Sequence, residues 1–430
     1  MSFLAPNENI IEKKICRLSG QEFFVTDKDL EFYEKISPVF AWQKYLIPSP
    51  TLCPEERMRR RLSWRNERKL YHRKCDKTGS QIISMYDSSS PYTVYEPKAW
   101  YSDSWDRWKY GRKVDFDTPF FQQFYDFSLA VPRLGIDLVN CENSDFCNYC
   151  WDNKDCYLDI AWEWNYRSFY NLFTKYSEFA IDTTFVYNST TMYECMFCYK
   201  SSMLQYCLYT ESCDNCLYSF NLKGCSDCIL CNNLRWKKYH IYNKPYSEED
   251  YKKLKEKILQ GRSQAWNEYQ RVTIEAIHRD YYRLNCENCS GNDLANSKNC
   301  FHCFNINDSE ESKYLCDVLE AKHCMDMNYS LYHPEWSYEL ISTLSLKNSA
   351  WSMASHYCRD VYYCDQCNNS ENLFGCIAMN HGNHCILNLP YSVQEYETLC
   401  GRMVQHMKST GEWWEFFPGF PGDPCHRRRF

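Results

Sequence analysis

The stretch CMFCYKSSMLQYCLYTESCDNCLYSFNLKGCSDCILC, residues 195–231, decides the fold of this chain. Two series of cysteines are each spaced nine residues apart: Cys198, Cys207, Cys216, Cys225 and Cys358, Cys367, Cys376, Cys385. A spacing of eighteen residues also occurs, at Cys195, Cys213 and Cys231. A fixed period over several units indicates a repeat architecture. We therefore predict stacked coils of eighteen residues, each built from two nine-residue units of strand and corner.

The chain contains 28 cysteines, and their chemistry depends on the compartment. The N-terminal segment has no hydrophobic secretory region, and no apolar run is long enough to span a membrane, so we expect a reduced, cytoplasmic protein. Cysteine is small and often buried, which suits an interior column with about 4.8 Å between coils. We favour packed free thiols. Zinc thiolates and disulfides are the alternatives.

The repeat region is internally duplicated. Asn140-Cys-Glu-Asn143 matches Asn285-Cys-Glu-Asn288, and Asn243-Lys-Pro-Tyr-Ser247 matches Asn388-Leu-Pro-Tyr-Ser392, both at an offset of 145 residues. Ser247 and Ser392 each precede a segment with helical periodicity and an acidic residue at capping-box spacing. We therefore expect two halves with the same coil path, each closed by a helix.

These patterns predict a mainly β protein with an α+β, ribbon-like head and two duplicated cysteine-ladder β-solenoid segments. The predicted boundaries are a degenerate zinc-ribbon-like head at 1–135, a first solenoid with its capping helix at 136–260, a helical linker at 261–284, a second solenoid with its capping helix at 285–410, and an aromatic tail at 411–430.

The head carries the densest positive charge in the sequence. Cys53-Pro54 begins a segment that we interpret as one helix over 54–74, because proline favours the first helical position. Arginines with interleaved aromatic residues suit phosphate contacts and base stacking. The predicted nucleic-acid-binding residues are Arg57, Arg60, Arg61, Arg65, Arg68, Lys69, Arg73, Trp64 and Tyr71. A solvated basic face is the alternative, and the net charge of the whole chain is -7.

Several motifs resemble a group of cysteine-rich repeat proteins of candidate-phyla bacteria. They are the Cys-Pro turn into an Arg-rich helix at 53–75, a hairpin in which Ile-Ile-Ser-x-Tyr at 82–86 pairs with residues 92–95 across 87–91, the cysteine ladder that ends in Pro-Tyr-Ser and a helix, and the tail Glu412-Trp-Trp-Glu-Phe-Phe417. The resemblance implies a head built as paired zinc ribbons, and it implies no particular activity.

The zinc positions implied by that resemblance are degenerate in this sequence. The first site would use Cys16, Ser19, Cys53 and Glu56, and the second would use Cys75, Thr78, Glu96 and Ala99. Because a structural zinc site needs four good ligands, we predict no zinc in the head and assign no cofactor or metal ligand. Outside the head, the best metal candidates are His381, His384 and Cys385, which we take as a minority interpretation.

No nucleotide-binding or hydrolase motif is present. The leading hypothesis is a non-enzymatic binding or scaffold protein whose basic head contacts nucleic acid, with RNA favoured, or an acidic protein partner. One alternative is a structural protein–protein interaction module. Another is a solenoid carbohydrate hydrolase or lyase that would use a carboxylate row at Asp155, Asp159 and Glu163.

Overall fold

Parallel strands repeat every twelve residues along the first solenoid. Asn148 pairs with Ile160, Leu172 with Thr184, and each later strand pairs at the same offset. These registers come from a computed structural model, which describes residues 4–5, 8–330 and 332–418. The fold is mainly β, with a head, two solenoids and helices that close them.

The coil has a three-residue repeat within it. Every third residue adopts the left-handed backbone conformation, as in Tyr170 (φ 61°) and Phe173 (φ 52°), and the next residue points into the coil, as Asn171 and Thr174 do. This conformation costs non-glycine residues about 1–2 kcal/mol each. The continuous hydrogen bonding between coils and the stacked side chains offset that cost.

The twelve-residue register corrects the predicted coil of eighteen. Twelve residues with one inward position in three give four inward positions per coil. Residues nine apart are therefore neighbours around the coil and one coil apart, so the Cys198 Sγ donates to the Cys207 carbonyl at 3.5 Å. The residues directly above one another are twelve apart, such as Cys216 and Cys228. The nine-residue spacing reflects a diagonal thiol–carbonyl contact.

The elements of the head are β1 (Ile10–Ile15), β2 (Glu22–Thr26), α1 (Asp27–Ile36), β3 (Val39–Phe40), β4 (Gln43–Lys44), α2 (Pro54–Leu62), β5 (Tyr71–Lys74), β6 (Gln81–Ser84), β7 (Val94–Tyr95), α3 (Pro97–Trp100), α4 (Phe120–Ala130) and β8 (Arg133–Leu134). A 3-10 turn spans Arg107–Tyr110.

The first solenoid contains β9 (Leu138–Val139), β10 (Asn148–Trp151), β11 (Ile160–Glu163), β12 (Leu172–Lys175), β13 (Glu178–Ile181), β14 (Thr184–Tyr187), β15 (Thr190–Tyr193), β16 (Met196–Tyr199), β17 (Ser202–Glu211), β18 (Asp214–Phe220), β19 (Ser226–Ile229), β20 (Lys238–Ile241) and β21 (Lys244–Pro245). Two helices follow it, α5 (Glu248–Gln260) and α6 (Arg262–Ile274).

The second solenoid contains β22 (Arg283–Leu284), β23 (Gly291–Ala295), β24 (Lys298–Phe301), β25 (Cys303–Asn307), β26 (Glu310–Lys313), β27 (Cys316–Leu319), β28 (Lys322–Met325), β29 (Asn328–Ser330), β30 (Glu335–Tyr338), β31 (Lys347–Ala350), β32 (Arg359–Tyr362), β33 (Glu371–Phe374), β34 (Asn383–Ile386) and β35 (Leu389–Pro390), and α7 (Val393–Ser409) follows.

Both solenoids end in the same way, as the duplicated sequence predicts. A short antiparallel pair, β20–β21 or β34–β35, leads into a helix whose first turn is capped by Ser247 or Ser392. The second solenoid departs from the uniform register. Its first coil is one residue shorter, since Arg283 pairs with Leu294, and Gly291 there lies so close to the next coil that a Cβ would be 1.8 Å from the Cys303 carbonyl oxygen.

Two local predictions for the head are wrong. The helix predicted over 54–74 ends at Leu62, because the Asn66 side chain closes a tight turn by accepting from the Lys69 amide at 3.1 Å. The hairpin predicted between residues 82–86 and 92–95 is absent from the described head. There, β6 pairs with β5 across the Cys75–Gly79 turn, and β7 pairs with β8. The turn at Cys16–Gly20 likewise joins β1 to β2.

Candidate functional site

The predicted nucleic-acid-binding arginines of α2 point into the protein. Arg57 is 3% exposed, and its Nε lies 2.6 Å from Asp326 Oδ2 in the second solenoid. Arg61 is fully buried between Asp326 and Glu339, and its Nε donates to Asn328. These ion pairs and hydrogen bonds connect α2 of the head to the second solenoid.

Most of the other predicted residues are also engaged within the chain. Arg65 is stacked between the rings of Tyr149 and Tyr329, at 4.1 and 4.5 Å from their centroids. The remaining predicted residues with internal partners are Arg60 with Glu339 and Glu415, Arg73 with Asp76, Trp64 with Phe417, and Tyr71 beneath Lys69.

The predicted binding surface on the head is therefore corrected. The side chains of Arg57, Arg61, Arg65 and Arg73 are buried, because carboxylates and rings within the chain satisfy them. Arg68 and Lys69 are exposed in the turn after α2. Contact between those two residues and nucleic acid stays a prediction.

Hydrogen bonds stabilise the two turns that carry the degenerate zinc positions, Cys16–Gly20 and Cys75–Gly79. They are formed by residues that stand where zinc-binding cysteines would be. Ser19 Oγ lies 3.8 Å from Cys53 Sγ, and Thr78 donates to Glu96 at 2.6 Å. Burial raises the pKa of Cys53 to about 11. Burial also acts on Cys16, but hydrogen bonds from Ser19 outweigh it and lower that pKa to about 7. Among the described residues, no group of three potential ligands is placed to hold a metal ion.

The fold does not bring together the candidate metal ligands of the second solenoid, nor the candidate carboxylate row of the first solenoid. Cys385 points into the second solenoid, whereas His381 is exposed and His384 packs against Tyr396. The carboxylate row is likewise dispersed. Asp159 lies inside the first coil, Glu163 forms an ion pair with Lys175 at 2.6 Å, and Asp155 accepts from Asn143 at an outer corner.

The two solenoids lie side by side and run antiparallel. Trp151 contacts His356, Phe173 stacks on Tyr329 with centroids 5.0 Å apart, and Tyr209 contacts Asn292. As the residue number rises along the first solenoid, that of the partner in the second falls. The space left between the two facing solenoids is a cleft.

The cleft has a volume of about 700 Å³, and its lining includes Phe197 and Tyr209. These are the last two rings of a ladder whose first ring, Phe173, is buried between the solenoids against Tyr329. Phe173, Phe185, Phe197 and Tyr209 stand twelve residues apart, so each lies above the previous one. Consecutive centroids are 4.9, 5.0 and 4.8 Å apart, with planes within 11°. Tyr282 of the segment between the solenoids extends this ladder by stacking on Tyr209 at 4.2 Å.

The cleft is strongly basic in a protein whose net charge is -7. The charged lining residues are Lys175, Lys200, Lys223, Arg235, Arg279, Arg283, Glu211 and Asp293. Six basic side chains against two acidic ones leave a formal charge of +4 on the lining. Lys223 forms an ion pair with Glu211 at 2.7 Å. Lys200 and Arg279 form no ion pair among the described residues and are exposed.

The second solenoid contributes polar groups to the opposite wall. Asp293 and Asn305 line the cleft and occupy the same corner in successive coils. Burial raises the pKa of Asp293 to about 6, and its carboxylate accepts a hydrogen bond from Asn292 at 2.8 Å. The cleft thus combines aromatic side chains, amides and a carboxyl group for hydrogen bonding, and cations for phosphate or carboxylate groups.

Sequence reasoning missed this cleft, although one signal was present. Phe173, Phe185, Phe197 and Tyr209 repeat at twelve residues, which is the true coil length. The nine-residue cysteine spacing concealed that period. The basic residues of the cleft are scattered singly over residues 175–283 and form no run in the sequence.

No protein-family model and no curated protein matches this sequence. Among solved structures, the chain is similar to a crystal structure described as an acetyltransferase from Desulfovibrio desulfuricans G20, with 7% identity over 52% of this chain and 64% of that chain, and a TM-score of 0.11. The chain thus spans less than two thirds of that protein, and the likeness carries no argument. Within the described residues, no helix is both long and apolar enough to cross a membrane.

Proposed function

We propose that the protein is a non-enzymatic binding protein that holds single-stranded nucleic acid, with RNA favoured, in the cleft between the solenoids. The observation that carries the proposal is a formal charge of +4 in one cleft whose lining also includes the aromatic side chains of Phe197, Tyr199 and Tyr209. Grooves that bind single strands combine backbone-tracking cations with aromatic side chains. RNA is favoured because its loops, bulges and ends offer single-stranded segments with unstacked, accessible bases.

The charge distribution supports an anionic ligand. A cleft of one sign between low-dielectric walls concentrates the local potential, even when the net charge of the protein has the opposite sign. At physiological ionic strength, screening over about 8 Å weakens repulsion from the acidic remainder of the surface. Lys200 and Arg279 are the cations best placed to act, since neither forms an ion pair within the described chain.

A protein–protein interaction module is the second candidate. Its supporting observation is a set of exposed aromatic side chains on outer corners of the first solenoid, Trp164, Tyr170 and Phe179, which are 53%, 51% and 42% exposed. These residues lie outside the cleft lining. A protein partner bound there would not depend on Lys200 or Arg279, so the two candidates respond differently to variants of the cleft.

The test is equilibrium binding of labelled single-stranded RNA, single-stranded DNA, duplex DNA and an acidic polysaccharide across a range of salt concentrations. The proposal expects single strands to bind most tightly, with log K falling linearly with log salt. The variant pair Lys200→Gln and Arg279→Gln should weaken binding and reduce the slope by about 0.7 for each phosphate that the protein no longer neutralises.

The matched control is the pair Lys298→Gln and Lys322→Gln. Both lysines are about half exposed and form ion pairs with Glu287 and Glu310 on another face of the second solenoid. The control should retain the affinity of the parent protein. Absence of nucleic-acid binding in low salt, equal losses in both pairs, or preference for the polysaccharide would each refute the proposal.

A further inference from the structure

Trp236 presents an open ring face at the rim of the cleft. Its side chain is 72% exposed, although one face of the ring rests on the backbone at Gly224. A Cβ built on Gly224 would be 2.0 Å from Trp236 Cε3 and 2.2 Å from Cζ3. The six-membered part of the indole therefore lies flat on the glycine, while its other face is turned to solvent.

Glycine is needed at position 224 because of this ring. Gly224 has φ +61°, but Lys200 and Ser212 occupy the same corner in the two preceding coils with φ 50° and 53°. The backbone thus accepts side chains at this corner. What excludes a side chain at Gly224 is the Trp236 ring one coil further on. The smallest residue, Gly224, and the largest, Trp236, together form an exposed aromatic surface that we call the platform.

The platform continues the cleft and its charge. Lys223 and Arg235, the residues that precede Gly224 and Trp236, both line the cleft. Arg235 is held by the Asn221 carbonyl at 2.6 Å. Two exposed lysines, Lys237 and Lys238, follow Trp236 directly. Cations therefore lie on both sides of the ring along the chain.

We propose that Trp236, laid flat on Gly224, is a stacking site for one unpaired base of a nucleic-acid strand leaving the cleft, with Arg235 and Lys238 beside it to contact the flanking phosphates. The inference rests on the proposed function and makes it more specific, because a base inside a duplex has no free face to stack on the indole. An exposed aromatic ring serves any base, so the site supplies affinity with little sequence preference.

The test compares Trp236→Leu with the parent protein, using single-stranded and duplex oligonucleotides of equal phosphate number. Loss of one base–aromatic stack should weaken single-strand binding about tenfold. The salt slope should be unchanged, because no cation is removed, and duplex affinity should not move. Trp236→Phe keeps a ring and should restore most of the affinity. Gly224→Val displaces the ring and should reproduce the loss.

Trp42 provides the matched control. It is 97% exposed at the β3–β4 turn of the head, so Trp42→Leu should bind as the parent does. If Trp236→Leu binds normally while the Lys200 and Arg279 variants lose affinity, the platform is refuted and the cleft stands. The platform would also be refuted if Trp236→Leu lost equal affinity for single strands and for duplex. The same holds if a neutral oligosaccharide, and not nucleic acid, covers the Trp236 ring. If the parent binds no nucleic acid, both proposals fail.

Discussion

Arg57 Nε lies 2.6 Å from Asp326 Oδ2, although 269 residues separate them in the sequence. The pair joins α2 of the head to the second solenoid, and both side chains are at most 3% exposed. Arg61 and Glu339 extend this buried group, and Arg60 pairs with Glu339 at its edge, so three guanidinium groups surround two carboxylates. Isolated charges could not be buried at this depth, so each member of the group depends on the others.

Removal of one charge from this group should destabilise the protein strongly. Asp326→Asn leaves Arg57 and Arg61 with too little negative charge around them. Breaking a buried ion pair in this way costs about 3–5 kcal/mol. The measurement is urea unfolding followed by near-ultraviolet circular dichroism. Arg59→Gln is the control, since Arg59 is 62% exposed in its ion pair with Glu56 and should cost less than about 1 kcal/mol. Similar small losses in both variants would contradict the expectation.

Asp159 should make the stability fall as the pH rises. Burial raises its pKa from 3.8 to about 7, so between these values the folded state binds a proton that the unfolded state has released. The stability that this proton contributes is fully present below pH 3.8 and is lost as the pH rises through about 7. At about 1.4 kcal/mol per pKa unit, the loss is at most about 4 kcal/mol.

Asp159→Asn should remove that dependence. An amide oxygen can still accept from Asn153 and Asn165, which donate to Asp159 at 3.1 and 2.9 Å. The variant should therefore be more stable than the parent above pH 7 and equal to it below pH 4, as measured by thermal melts across pH. Asp155→Asn, at a half-buried outer corner of the same solenoid, serves as the control. If Asp159→Asn is less stable than the parent at every pH, the Asp159 carboxyl group is not the source of the pH dependence.

Thiol labelling should distinguish the interior ladder from the coil ends. The cysteines of the described residues are free thiols, and Cys286 and Cys289 in the first coil of the second solenoid are only partly buried. Cys286 should be alkylated first, whereas burial raises the pKa of Cys289 to about 11 and slows its reaction. Cys216 should react only after denaturation. Peptide mapping after timed alkylation checks the order, and rapid native labelling of Cys216 would contradict it.

Variants of the head test whether its exposed cations add to binding. Arg68→Gln with Lys69→Gln should lower the affinity for single strands less than Lys200→Gln with Arg279→Gln does, because the first pair lies outside the cleft lining. Salt titrations of both double variants measure the difference. A larger loss from the head pair would place the main contact surface at the turn after α2.

Local signals in the sequence were sufficient for several elements. Ser247 and Ser392 begin helices where predicted, because capping depends on residues within one turn. The repeated cysteines indicated a solenoid with a thiol-lined interior.

The coil length and the site were not predictable in the same way. Nine and twelve both bring cysteines close together, and only the hydrogen-bond register between coils shows that twelve is the vertical repeat. The basic residues of α2 offered the clearest charge signal, yet Arg57 and Arg61 both pair with Asp326, which lies more than 260 residues away in the sequence.

Side-chain size and neighbours along the chain set which residues enter the coil, where the helices begin and that the chain is duplicated, so these features can be read from the amino-acid order alone. The register of the coils, the burial of the head arginines and the cleft arise only in the folded chain. They depend on which surfaces meet when the two solenoids fold back side by side. Tyr209 and Tyr282 stack, and Trp236 covers Gly224, only because parallel coils and an antiparallel pair of solenoids bring distant residues into contact.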